Sequence, residues 1–216
     1  NVTLDLAGHT ITGPSPSGGT GPRGIVVLQN RTGVTVGNGT VRGFDSGVDV
    51  SPGANGTVVS GMTLDANGTG IRVNTGTSST RLSGNSIVNT TQFSAIQIGG
   101  NGHLIENNSI ANGASTGVFL SGNDNVIQNN RITNMGGNAV SIGSFPSNPG
   151  PFFNNRISGN QITGSGRVFN STTIVVTNGS GTRIEGNLIN GRRTTPGVFV
   201  FDSANTVVAG NSLTNN

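Results

Sequence analysis

The chain has 216 residues and a net charge of +3, with 11 basic residues, all arginine, against 8 acids, and no cysteine, tryptophan or tyrosine. Zero cysteines exclude disulfide frameworks and cysteine-based zinc or redox sites. The arginines are scattered singly apart from Arg192-Arg193, and phenylalanine is the sole aromatic, so the basic stripe with interleaved aromatics that a nucleic-acid binder presents is missing. Val, Ile, Leu and Phe number 56, enough for a packed core, whereas 9 Leu, 9 Ala and 2 Glu are too few to build helices. The 30 Asn and 26 Thr beside 22 Val and 16 Ile are turn residues plus strand residues, which points to an all-β chain. No apolar run approaches the roughly 20 residues of a membrane span.

In chain order, the first segment carries Leu6 to Ile11, a degenerate copy of the pattern aliphatic-x-(Gly/Asn)-Asn-x-aliphatic. A Pro/Gly/Ser loop follows from Pro14 to Arg23. A second pattern then begins at Gly24-Ile25-Val26-Val27: a small residue, then two aliphatics around one free position. It recurs with its first aliphatic at Val48, Ile71, Ile96, Val118, Val140, Ile174 and Val198, in steps of 23, 23, 25, 22, 22, 34 and 24. Between these copies the first pattern returns at Val36 to Val41, Val59 to Leu64, Leu82 to Ile87, Ile105 to Ile110, Ile127 to Ile132, Ile157 to Ile162, Ile184 to Ile189 and Val208 to Leu213. Phe145-Pro146-Ser147-Asn148-Pro149-Gly150-Pro151-Phe152-Phe153 lengthens the sixth coil and accounts for part of the 34-residue step. This loop is placed to cover one side of a groove, to plug the side of the helix or to meet a partner.

A period of 22 to 25 residues with short strands is one turn of a parallel β-solenoid, in which each position sits about 4.8 Å above its equivalent. No coil can bury its apolar face alone, so stability comes from stacking. Three inner columns are expected: Ile25 to Val198, Leu6 to Val208, and Ile11 to Leu213. Asn85, Asn108, Asn130, Asn160, Asn187 and Asn211 occupy one position in successive coils and should form an amide ladder. The residue before each is Gly or Asn, as a corner with positive φ requires.

The opening Val2-Thr3-Leu4-Asp5-Leu6-Ala7-Gly8-His9-Thr10-Ile11-Thr12-Gly13, with Asn-x-Ile steps such as Asn129-Asn130-Arg131-Ile132, resembles the right-handed parallel β-helix repeat proteins of the pectate-lyase-like group. The resemblance covers essentially the whole chain. It implies a single-stranded right-handed parallel β-helix of about 8 to 9 coils with an Asn ladder. It leaves function open, because that group includes polysaccharide lyases, glycoside hydrolases, uronan epimerases, adhesins and copper-maturation factors. Such proteins usually have an amphipathic N-terminal cap, so residues 1–216 read as one β-helix domain, a fragment lacking that cap, with end edges open to self-stacking.

The outward positions beside the first inner column read Val26, Asp49, Arg72, Gln97, Phe119, Ser141, Val175 and Phe199. Asp49 and Arg72 should lie one coil apart on this face. They read either as a subsite for sugar carboxylates or hydroxyls, with Phe119 as a flat ring surface and Gln97 between them, or as a surface ion pair. A hydrolase needs two carboxylates on one face; Asp45 with Asp49 is the one sequence-local candidate, and Asp45 also reads as a turn residue. Glu106 and Glu185 fall three coils apart, too far for that chemistry. Arg156 and Arg183, with Arg81 lower down, form a second basic stripe suited to an acidic polysaccharide or to plain solvation. No acidic cluster suits calcium, His9 and His103 are about four coils apart, and neither a metal nor a cofactor is expected. Nine Asn-x-Ser/Thr sequons, Asn55-Gly56-Thr57 among them, fit an extracellular or cell-surface setting. Two functions remain: a module that binds or processes an acidic polysaccharide on an outward strand face, or a non-catalytic spacer, adhesin or end-stacking filament subunit.

Overall fold

The computed structural model describes residues 2–144, 150–167, 171–192 and 196–216, and every regular element in them is a strand. Among the described residues, no helix is long and apolar enough to cross a membrane. Eight parallel strands form the front sheet: Arg23–Val27, Ser46–Val50, Thr69–Val73, Ile96–Gly99, Val118–Ser121, Val140–Ile142, Ile174–Thr177 and Val198–Phe201. A middle and a back ladder complete each coil, for example Leu104–Glu106 followed by Ser109–Ala111. In the second and third coils these two merge into the single strands Val34–Arg42 and Val58–Asp65. The merger has a local cause. Where a corner N–H bonds the amide oxygen of the Asn above, as Met62 does to Asn85 at 3.0 Å and Asn85 to Asn108, the backbone ladder above that corner is interrupted; Gly39 and Met62, with no Asn between them, still pair with each other through their backbones.

The columns stack as the period requires. Ile96 pairs with Ile71 below and Val118 above, Ile105 with Leu82 and Ile127, and Ile110 with Ile87 and Ile132. Ile127 and Ile132 are buried with the rest of one continuous core. Each such side chain contributes roughly 1.5–3 kcal/mol by leaving water. A fourth inner column runs through Val50, Val73, Ile98, Leu120, Ile142 and Val176, the second aliphatic of each front-sheet copy.

The first coil departs from the expected register. Leu4, not Leu6, pairs with Val36, and Asp5 pairs with Gly37. Ala7 and Gly8 take φ of 48° and 80°, making a turn that shifts the chain before Thr10 rejoins the register opposite Thr40. Leu6 instead packs over Gly39, where any side chain would collide with its Cβ.

The Asn ladder forms. From Asn85 to Asn211 each amide nitrogen reaches the next amide oxygen at 2.9–3.0 Å. Each nitrogen also donates to a middle-ladder carbonyl one coil below, as Asn130 does to Ile105 at 2.9 Å. The preceding residues Gly84, Asn107, Asn129, Gly159, Gly186 and Gly210 have φ of 65°, 55°, 54°, 64°, 62° and 62°, the left-handed geometry that Gly and Asn tolerate. Of the long insertion, Phe145 to Pro149 lie outside the described residues, as do Val168 to Asn170 and Arg193 to Thr195. Phe152 is a plug, fully buried in the core, and Phe152–Phe153 pairs with Gly179–Ser180 as a small two-stranded sheet.

Candidate functional site

The front sheet presents its outward residues in one line. Val26, Asp49, Arg72, Gln97, Phe119, Ser141, Val175 and Phe199 pair rung to rung. The spacing of about 4.8 Å per rung makes this a straight track of roughly 34 Å. Asp49 holds the outward register yet its side chain is only 2% exposed, which corrects the expectation of a solvent-facing carboxylate. Three groups close over it. Asn74 Nδ2 donates to Oδ1 at 2.8 Å, Arg23 Nε stands 3.4 Å from Oδ2, and Arg72 Nη1 stands 3.8 Å from Oδ2. Neither Asp49 Oδ2 nor Arg72 Nε has a hydrogen-bond partner, although both are buried. The pair is therefore an ion pair without aligned hydrogen bonds. Gln97 and Phe119 follow on the next two rungs, both partly exposed.

Asp45 does not join Asp49 as a carboxylate pair. Its carboxylate accepts from the Ser17 N–H at 2.5 Å, from the Gly19 N–H at 2.9 Å and from the Gly21 N–H. Burial alone would raise its pKa, but the hydrogen bonds from Ser17, Gly21 and Gly19 outweigh it and hold the group below the ordinary carboxylate value. Asp45 thus anchors the Pro14–Arg23 loop to the side of the coil, and the loop continues upward until Gly19 meets the ring of Phe93.

Arg156 and Arg183 pair with each other on the middle ladder, a stripe separate from the front sheet. Both face one acid: Arg183 Nη2 lies 2.5 Å from Glu185 Oε1, and Arg156 Nε lies 3.5 Å from Oε2. The Arg183 hydrogen bond is the main cause of a lowered Glu185 pKa. An open groove beside them is lined by Gln128, Arg156, Ser158 and Glu185. Lower on the same face, Arg81 Nη2 holds Glu106 at 2.6 Å and Gln128 donates to Glu106 at 2.9 Å. The Gln128 and Arg81 contacts lower the Glu106 pKa. Glu106 and Glu185 remain three rungs apart through Gln128 and Ser158. Among the described residues, no group of three His, Asp or Glu side chains is arranged to hold a metal ion.

Residues 23–165 and 94–216 both match the family described as right-handed β-helix region. The chain belongs to the right-handed β-helix family. No curated protein matches its sequence. Among solved structures, the β-helix is similar to the Dettilon tailspike protein (15% identity, TM-score 0.54, covering 98% of this chain and 54% of that one). It is also similar to a mutant tailspike of E. coli bacteriophage HK620 in complex with a pentasaccharide (11%, 0.55, 84% and 43%). DFA-IIIase from Arthrobacter chlorophenolicus A6 without its lid is a third (14%, 0.53, 86% and 60%). The chain thus spans about half the length of these structures, and at such identities the likeness is one of fold.

One polar feature of this β-helix has no repeated residue type to announce it. A second internal column, at the other end of the middle ladder, runs Thr80, His103, Asn125, Asn155. The Thr80 N–H donates to His103 Nδ1 at 3.0 Å, the His103 N–H to Asn125 Oδ1 at 2.8 Å, and the Asn125 N–H to Asn155 Oδ1 at 3.0 Å. His103 therefore carries its proton on Nε2. Burial pushes its pKa down to about 4, against a small opposing effect of the Gly99 carbonyl. Position in the coil, counted from Leu104-Ile105, was the one signal that could have aligned His103 with Asn125.

Proposed function

We propose that the protein is a saccharide-binding β-helix module whose ligand lies along the front sheet, with Arg72, Gln97 and Phe119 as the contact rungs. The observation that carries this reading is the line of outward side chains on consecutive rungs, a charged group, an amide and a ring stacked in one straight track. Arg72 offers hydrogen-bond donors, Gln97 both a donor and an acceptor, and Phe119 an apolar surface, the mixture that orients a hydroxylated ring. Asp49 holds Arg72 in place from below. The tailspike complex with a pentasaccharide supports a glycan as the ligand class.

Binding without turnover fits the acids best. Asp45 is committed to a loop, Asp49 to two arginines, and Glu106 and Glu185 to Arg81 and Arg183. The arginines that suggested an acidic polysaccharide are matched by these same carboxylates, so Arg156 and Arg183 serve as a secondary contact on the middle-ladder face, with room for an anion only if Glu185 is displaced. A polysaccharide array read for binding, new reducing ends and unsaturated products tests the proposal. Binding without either product is expected, with Gln97→Ala weakening it. Product formation would assign an enzyme, and binding to none of the polymers would leave the spacer or adhesin reading.

A further inference from the structure

We propose that the Pro14–Arg23 loop is a latched strap whose release uncovers a further saccharide-binding surface at Ser46, Thr69 and Gln92; the inference rests on the saccharide reading of the front sheet. Both ends of the loop are tied to the next coil by backbone bonds. The Gly13 and Ser15 N–H groups donate to Arg42 and Gly43 at 2.9 and 3.0 Å, and the Asp45 N–H donates to Pro22 at 2.9 Å. The middle is held differently, by the Ser17, Gly19 and Gly21 N–H groups on the Asp45 carboxylate and by the approach of Gly19 to the Phe93 ring. Phe44, Gly68 and Phe93 stand on successive coils, each N–H reaching the carbonyl of the one below. The strap therefore climbs two coils beyond Asp45, along the edge where the front strands begin.

Two hydroxyls lie beneath it. A Cβ on Gly47 would meet Leu64 and one on Gly70 would meet Ile87, both core residues, so the preceding Ser46 and Thr69 point outward. They pair with each other on the two strands that also carry Asp49 and Arg72. Although outward, both are fully buried, because the segment latched to the adjoining Asp45 covers them. Neither hydroxyl has a hydrogen-bond partner, and the buried amide oxygen of Gln92, beside Gly68, has none either. A buried polar atom without a partner disfavours the state that buries it, so closure sets the Asp45 hydrogen bonds against three unsatisfied oxygens. A sugar hydroxyl both donates and accepts, which matches two hydroxyls and an amide once the strap lifts. All three groups are uncharged, and Thr69 begins the strand that presents Arg72, so a glycan on the front track can extend over them.

Thr69→Cys reads the strap directly, because the chain has no other thiol. Alkylation at position 69 should be slow with the latch intact and about tenfold faster with Asp45→Asn, which takes the charge out of three hydrogen bonds. Affinity electrophoresis in gels containing a β-glucan, a galactan or polygalacturonate reads the uncovered surface. Closure lowers the apparent affinity by the fraction of chains that are open, so the polymer that binds should retard Asp45→Asn about five- to tenfold more strongly than the wild type. The same polymer should slow alkylation at position 69 in the Asp45→Asn chain. Where thermal melting shows Asp45→Asn unfolded, Ser17→Pro takes its place, removing one latch donor while leaving the coil sequence intact. Alkylation at the wild-type rate in both latch variants would overturn the latch. Faster alkylation with no gain in retardation, while Gln97→Ala still weakens binding, would overturn the covered surface and leave the front-sheet reading standing. Retardation of neither the wild type nor the latch variants by any of the polymers would overturn both readings.

Discussion

The Asn ladder and the front sheet treat buried polar groups in opposite ways. Inside the coil, Asn130 donates to Asn160, Ile105 and Gln128 and accepts from Asn108 through both its backbone and side-chain N–H groups, so every polar atom of the amide is used. On the front sheet, Asp49 Oδ2 and Arg72 Nε are buried and lack a hydrogen bond. The ladder is a saturated network, which fixes one structure, while an ion pair without aligned hydrogen bonds keeps the Arg72 guanidinium in reach of solvent.

The largest effect is expected in the ladder. Asn130→Ala removes the acceptor of two Asn108 N–H groups and the donor to Ile105. Orphaned buried groups cost about 1–3 kcal/mol each, so a loss of roughly 3–5 kcal/mol is expected in urea unfolding. A loss below 1 kcal/mol would show the ladder to be ornamental.

The mixed column gives the next effect. The His103 pKa is lowered in the folded state to about 4, so between that value and its ordinary 6.5 the unfolded chain binds the extra proton. The stability from neutral His103 is full above pH 6.5 and declines as pH falls toward 4, by about 1.4 kcal/mol per pH unit at most. His103→Asn, which copies Asn125 and Asn155 above it, should flatten the urea midpoint over this window. A wild-type midpoint constant from pH 7 to 4.5 would contradict the buried neutral imidazole.

Arg72→Ala should cost about 2 kcal/mol, less than the roughly 3–5 of a fully broken buried pair, because Arg23 stays beside Asp49. Asp49→Asn in the same chain should recover part of the loss.

What could be read from sequence follows from what repeats. Val, Ile and Leu at a fixed period gave the columns, and six identical Asn gave the ladder, because stacking like on like writes itself as repetition. The first coil failed the same logic: Ala7 and Gly8 make a turn, and a turn shifts register without changing composition. Thr80, His103 and Asn125 were invisible as a column because three residue types fill one geometric role. Pairing across coils was also hidden. Glu185 meets Arg156 diagonally, one coil below and two positions away, so a column of arginines looked like a basic stripe while its counter-charges stood in the neighbouring column.

The proposed saccharide-binding surface is the front sheet. The chain has no cysteine, so single cysteines report one position cleanly. Gln97→Cys places a thiol on the front track, and Ser109→Cys places one on the exposed back ladder. The rate of thiol alkylation is then measured with and without a polymer the array identifies as bound. The glycan should slow alkylation at position 97 and leave position 109 unchanged; equal rates at 97 with protection at 109 would move the binding surface to the back ladder.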